Sequence, residues 1–294
     1  MIKYSIIIPH FNRPDLIMNG INSFKNLKDK EIIIVDATSS QENIEKLQNN
    51  LKLIEQEQNV NLVLSNERLS NSLTRNKGLS LAKGKWVYFI DDDEAREKFI
   101  KFLNKYKLKS KYDFYRFPHI ENKDGKFRGI IFRIFPGNYK YSIQVSTFLF
   151  NKNFLIKNNI HFNDLFNYGE DRFFVMTLFN IKKIKYRYLH MFAFNYNVFS
   201  HVKSVVRNQH LNCKSNLEII DAILASNYKN KKVFSLEILV SDFNSEFLNN
   251  LYINKDESLK IYNEYFKKIS LSFKTWWKMD IGLKFSYFSF LFKK

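Results

Sequence analysis

Apolar residues in the first hundred positions come in short dense runs, and segments of helical spacing separate the runs. Tyr4–Pro9 is a β-branched run that predicts a buried strand, ended by the turn signal Asn12-Arg13-Pro14. Asp15–Phe24 then spaces Leu16, Ile17, Ile21 and Phe24 as one helix face. Glu31–Asp36 predicts a second buried strand, and Thr38-Ser39-Ser40 supplies cap chemistry for a helix through Ile44, Leu47 and Leu51. Val60–Leu64 reads as a third strand, Leu69–Ala82 as a helix ending near Gly84, and Trp86–Ile90 as a fourth strand. Apolar strands alternating with amphipathic helices imply an α/β fold with a mostly parallel sheet covered on both faces. Ligands of such sheets bind beyond the carboxyl ends of the strands, and Pro9–Asn12, Asp36 and Asp91–Asp93 all fall there. From about Lys111 to Phe150 short strands and turns are expected, with turn signals at Asp124-Gly125 and Pro136-Gly137. A helix is expected to begin near Gly169-Glu170-Asp171, and the chain from about Asn208 onward reads as mainly helical.

The strand ending at Ile90 runs straight into Asp91-Asp92-Asp93-Glu94. Four consecutive carboxylates repel one another unless a cation or solvent relieves them. Hard divalent ions prefer oxygen ligands and bridge carboxylates to diphosphate. In an extended segment i and i+2 point to the same side, so Asp91 and Asp93 can converge while Asp92 turns away. The competing reading is an acidic helix start capping Glu94–Leu103.

The neighbouring segments favour the cation. Ser5-Ile6-Ile7-Ile8-Pro9-His10-Phe11-Asn12-Arg13-Pro14 resembles the opening strand of family 2 glycosyltransferases of the GT-A fold. Glu31–Asp36, Arg75-Asn76-Lys77-Gly78-Leu79 with Ala82-Lys83-Gly84-Lys85, Phe89-Ile90-Asp91-Asp92-Asp93, and Tyr168-Gly169-Glu170-Asp171-Arg172 resemble the family's later motifs, in its order, across roughly residues 1–205. The resemblance implies a GT-A nucleotide-diphospho-sugar transferase fold, with a catalytic domain at 1–207 and a helical extension at 208–294. It implies donor contacts from Pro9, Phe11, Asn12, Asp36, Arg75, Asp91 and Asp92, and a Mn2+ or Mg2+ ion on Asp91 and Asp93. Asp171 is implied as the base, with Glu170 holding the acceptor or orienting the loop; both also suit a plain helix cap. The implied activity is transfer of a sugar with inversion, from a nucleotide-sugar to a saccharide or lipid-linked saccharide, in surface polysaccharide assembly (capsule, O-antigen or lipooligosaccharide). One departure stands out: the family usually has a second acidic residue after Asp36, often a uracil contact, and Ala37 occupies that place. GDP, dTDP and CMP donors therefore stay open beside UDP. His190 and His201 follow the acidic motif, where some GT-A enzymes place a further metal ligand.

Composition adds less. The 294 residues carry 47 Lys+Arg against 29 Asp+Glu, a net charge of +18, and 45% are apolar, enough for a sizeable core. The charge is spread evenly, +8 over residues 1–150 and +10 over 151–294, which suggests a general attraction to anions rather than one dedicated patch. A single cysteine, Cys213, fits a reducing compartment, and neither a signal peptide nor a run of about 18 apolar residues is found. A cytoplasmic protein is expected. The segment Ile269–Lys294 mixes Trp and Phe with five Lys and one Asp, the composition of a segment lying on an anionic membrane, or of a core helix. A Rossmann oxidoreductase is excluded because Pro9–Pro14 contains no glycine for pyrophosphate. Nucleic-acid binding, suggested by the charge, fits poorly because most aromatics lie inside apolar runs. A catalytically dead scaffold of the same fold stays open.

Overall fold

The computed structural model describes residues 1–52, 54, 59–91, 97–123, 126–131, 144–166, 169–189, 195–198, 209–227, 231–232, 235–236, 238–239 and 255–270. Four strands, β1 (Tyr4–His10), β2 (Lys30–Asp36), β3 (Val60–Leu64) and β4 (Trp86–Phe89), form the parallel half of a sheet. Further along come β5 (Phe114–Arg116), β6 (His119–Lys123), β7 (Lys126–Ile131), β8 (Phe148–Asn151), β9 (Tyr186–Tyr188) and β10 (Asn195–Val198). The large sheet has the order β3-β2-β1-β4-β8-β5-β9, with β8 antiparallel to both β4 and β5. A second sheet has the order β10-β6-β7. Its β6–β7 hairpin encloses the expected Asp124-Gly125 turn, which lies outside the described residues, as does Pro136-Gly137.

By its contacts the chain divides into two compact units, one of 1–132, 142–165 and 181–201, the other of 133–141, 166–180 and 202–294. The first unit holds both sheets. Its core is built on Ile6, Ile8, Ile32, Ile34, Tyr88 and Phe99, all fully buried, with helices Leu16–Ser23 and Gln41–Lys52 adding Ile17, Ile21 and Leu47. In the second unit Ile219, Ile220 and Ile223 of helix Gln209–Ala225 pack with Phe166, Met176, Leu239 and Tyr262. That unit also contains helices Glu170–Asn180 and Lys255–Ile269.

Two glycines let the first unit close. Gly78 lies on the buried face of helix Asn71–Leu81, and a Cβ there would come within 2.4 Å of Ile7 Cγ2 on β1. Gly84 enters β4 beneath β1, where Glu31 Oε1 accepts hydrogen bonds from Ser5 Oγ (2.5 Å), Lys83 N (2.6 Å) and Gly84 N (3.2 Å). A Cβ on Gly84 would lie 2.6 Å from backbone atoms of Tyr4 and Ser5, which cannot swing aside as a side chain does. Gly84→Ala is therefore expected to destabilise the protein by about 1–3 kcal/mol or more through overpacking, read as a lower urea midpoint. Gly78→Ala is expected to destabilise as well, because the atom in the way is the Cβ-branch methyl of Ile7, which is fully buried on β1.

Candidate active site

The site is built at the carboxyl end of the parallel strands. β1 and β2 pair in register through His10 and Asp36, so these two side chains become neighbours although 26 positions separate them. His10 Nδ1 lies 2.8 Å from Asp36 Oδ2, and both side chains are wholly buried. Arg13 N–H donates to His10 Nε2 at 3.2 Å, so Nε2 is the acceptor and Nδ1–H the donor to Asp36. Asp36 also accepts from Ser39 N at 2.7 Å and from Ser39 Oγ at 2.5 Å. Burial pushes the Asp36 carboxyl up, but the hydrogen bonds from His10 and Ser39 outweigh it and hold the group below the usual carboxylate range. The carboxylate is thus enclosed by its partners on β1 and on the loop after β2.

That loop is the segment after β1. Asn12, at a φ of +53°, donates its N–H to Ser39 Oγ at 2.7 Å, and its Oδ1 accepts from Ser40 N at 2.8 Å and Asn43 Nδ2 at 3.1 Å. The expected cap chemistry after β2 is present, with Ser40 Oγ accepting from Asn43 N at 3.4 Å. Thr38 has a φ of +68°, a costly backbone for a β-branched residue, where the loop turns under Asn12. Ala37 N donates to His10 O at 2.9 Å, so the residue that departs from the family pattern is tied to the same corner. Pro9 is half-buried, and Phe11 exposes 38% of its surface with the Arg68 guanidinium 5.2 Å above its ring. His10, Ser39 and Arg68 join this corner although the sequence pattern assigns them no role in the site. The signal for His10 was its place at the end of a strand opposite Asp36.

Beside this corner, Ile90 N donates to Ile7 O at 3.1 Å and places Asp91 at the same end of the sheet. Arg75 comes from helix Asn71–Leu81, whose N-cap Ser70 accepts from Leu73 N. Its side chain is 3% exposed, lies 5.2 Å from the Phe162 ring, and donates from Nη2 to Asp91 Oδ1 at 2.9 Å. The carboxylate of Asp91 is 46% exposed. A buried cation thus steadies an open carboxylate, whose hard oxygen donors fit a divalent ion such as Mn2+ or Mg2+. Among the described residues no group of three His, Cys, Asp or Glu side chains converges as a metal cluster. Asp92 and Asp93 lie outside the described residues, as do Tyr168, His190, His201 and residues 271–294.

Glu170 and Asp171 open helix Glu170–Asn180 in the second unit, Glu170 buried and Asp171 half-buried. Gly169 O accepts from Phe173 N at 3.1 Å, and Arg172 Nη1 donates to Asn216 Oδ1 at 3.4 Å. The first turn of a helix is a favourable place for carboxylates because its N–H groups point outward unpaired.

The fold is that of GT-A glycosyltransferases. S. aureus TarS 1–349 in complex with UDP-GlcNAc superimposes with a TM-score of 0.65 at 17% identity, covering 92% of this chain and 82% of that one. The mannosyltransferase PcManGT from Pyrobaculum calidifontis, in complex with GDP-Man and Mn2+, does so with a TM-score of 0.57 at 11% identity, covering 99% of this chain and 88% of that one. The model of the family described as glycosyl transferase family 2 matches residues 5–179, and the chain belongs to that family. It is 36% identical over 97 residues to the GalNAc(5)-diNAcBac-PP-undecaprenol beta-1,3-glucosyltransferase of Campylobacter jejuni, covering 32% of this chain and 30% of that protein. It is 29% identical over 210 residues to the cholesterol galactosyltransferase of Borreliella burgdorferi, covering 60% of this chain and 55% of that protein. The chain thus spans about a third to a half of the curated relatives it matches.

Proposed function

We propose that this protein transfers one sugar, with inversion, from a nucleotide-sugar donor to a saccharide or lipid-linked saccharide acceptor in surface polysaccharide or glycolipid assembly. The observation that carries the reading is the half-exposed Asp91 carboxylate, steadied by buried Arg75 beside the tied loop Pro9–Asn12 at the end of the sheet. In this reading Phe11 and Asn12 receive the nucleoside, with Pro9 shaping the backbone and Asp36 acting through the loop. Arg75 orients Asp91, and Asp92 contributes to the donor contacts. A Mn2+ or Mg2+ ion held by Asp91 and Asp93 would supply the positive charge that offsets the charge developing on the diphosphate. The Asp171 carboxylate takes the proton of the acceptor hydroxyl as that oxygen attacks the anomeric carbon. The bond from that carbon to the donor's phosphate oxygen breaks, the nucleotide leaves, and Glu170 holds the acceptor or its loop. Support for a metal comes from the Mn2+ complex of PcManGT, and for a lipid-linked acceptor from the name of the Campylobacter relative. No helix among the described residues is long and apolar enough to cross a membrane, and the reading places the protein at the cytoplasmic face as a peripheral partner of anionic lipid.

The test is a thermal-shift panel of UDP, GDP, dTDP and CMP, with and without Mn2+. One nucleotide is expected to stabilise the protein only with metal, by about 2.7 kcal/mol at a hundredfold excess over its Kd. Asp91→Asn and Asp93→Asn should each remove that shift. Stabilisation by oligonucleotides instead, or a shift unaltered in both variants, overturns the reading.

A further inference from the structure

We propose that the edge formed by helix Asn71–Leu81, helix Lys152–Lys157 and the segment 159–165 docks on an anionic lipid bilayer. Six large apolar side chains are exposed among the described residues, and three of them sit on this edge: Leu73 (37%), Ile156 (63%) and Leu165 (77%). The other three are Met1 at the terminus, Phe11 in the nucleoside loop and Leu64 at the end of β3.

Hydrogen bonds stitch the segment 159–165 to both helices: Asn159 N donates to Ile156 O at 3.1 Å and Ile160 N to Leu155 O at 2.9 Å on one side. On the other, Ser72 Oγ donates to Asn163 O at 2.8 Å, Asn76 Nδ2 donates to Phe162 O at 2.8 Å, and Phe162 N donates to Asn76 Oδ1 at 2.9 Å. Leu165 N donates to Asn163 Oδ1 at 2.9 Å, which turns the strip toward its end. Between the helices runs an open groove of about 300 Å³, whose apolar lining includes Leu79, Leu155, Ile156 and Ile160.

The charge around this edge names the partner. Residues 71–83 and 152–165 carry exposed Lys77, Lys83 and Lys157, and their one acid is Asp164; Arg75 is committed to Asp91, and Lys152 Nζ donates to Ala82 O at 2.9 Å. Lys77 is four positions from Leu73, so both share one helix face, and Lys157 follows Ile156. Protein interfaces are depleted in lysine at their centres and rich in aromatics and Arg. Apolar side chains ringed by lysines instead match the boundary of an anionic membrane, where long side chains keep their charge at the headgroups. Each lysine there is worth about fivefold in partitioning. The surface deepens the proposed use of a lipid-linked acceptor and rests on that reading for its purpose.

The experiment is co-sedimentation of the full chain with phosphatidylcholine vesicles, with and without phosphatidylglycerol. The intact protein should bind only the anionic vesicles. Ile156→Ser with Leu165→Ser should lower partitioning by about thirtyfold or more, since two apolar side chains stay in water. Lys77→Glu with Lys157→Glu should lower it by more than tenfold at low salt and by less at high salt. Both variants change exposed positions and should keep the wild-type melting temperature and nucleotide shift. Partitioning equal to wild type in the serine variant overturns the proposal, as does an intact protein that ignores both vesicles. Loss of binding only on removal of residues 271–294, or self-association abolished by Ile156→Ser without vesicle binding, also overturns it. Vesicle binding without any nucleotide shift would defeat the transferase reading and leave the surface standing.

Discussion

Asp171→Asn is expected to lower turnover by about 10²–10⁴-fold, the usual contribution of a positioned general base. The amide keeps the size and the helix-start position of the carboxylate but cannot accept the acceptor's proton. In the proposed reading the donor is held by Pro9–Asn12, Arg75 and Asp91 and Asp171 acts on the acceptor, so the nucleotide-dependent thermal shift should survive in this variant while transfer collapses. Glu170→Gln should act mainly on acceptor KM. Steady-state rates with a saccharide acceptor, set beside the thermal shift, separate the roles; turnover within a factor of a few of wild type would remove Asp171 as the base.

The second large effect falls on stability. Asp36→Ala is expected to cost about 3 kcal/mol or more, because three donors (His10 Nδ1–H, Ser39 N–H and Ser39 Oγ–H) lose their buried acceptor. The sign of its pH dependence follows from the lowered Asp36 pKa. The unfolded chain takes up the Asp36 proton near the ordinary value of about 3.9, and the folded protein does so only at lower pH. The contribution is complete above the ordinary value and is lost as pH falls through the lower folded one. Urea midpoints of wild type and Asp36→Ala should thus differ by a constant amount at neutral pH and converge in acid. Nucleotide binding should weaken as well, since Ser39 also receives the N–H of Asn12, in the loop proposed to receive the nucleoside. A variant as stable as wild type would show that the enclosed carboxylate is dispensable.

Periodicity locates the elements of the sheet region closely. β3 occupies Val60–Leu64 as read from its pattern, and helix Asn71–Leu81 falls inside the expected Leu69–Ala82, trimmed by the Ser70 cap. β1 runs one residue past the expected Pro9, because His10 stays in register with Asp36. The later strands were legible only as a region, since three- or four-residue strands such as β5 and β9 hold too few positions for a period to show.

The chemistry divides along the same line. Residue types adjacent in the chain (the carboxylates after β4, the Glu170-Asp171 pair, the polar run Thr38-Ser39-Ser40) identify the family and the ends of the elements, because strand burial and helix capping are local. Contacts between residues far apart come from packing alone. His10 meets Asp36 through the parallel register, Arg75 meets Asp91 across 16 positions, and Glu31 meets Gly84 across 53. In each case a buried polar group had to find a partner away from water, and only the stacking of helix on sheet decided which one was within reach. The exposed edge of Leu73, Ile156 and Leu165 has the same origin. Nothing in their local sequence distinguishes them from core residues, and only the tertiary structure leaves them facing solvent among lysines.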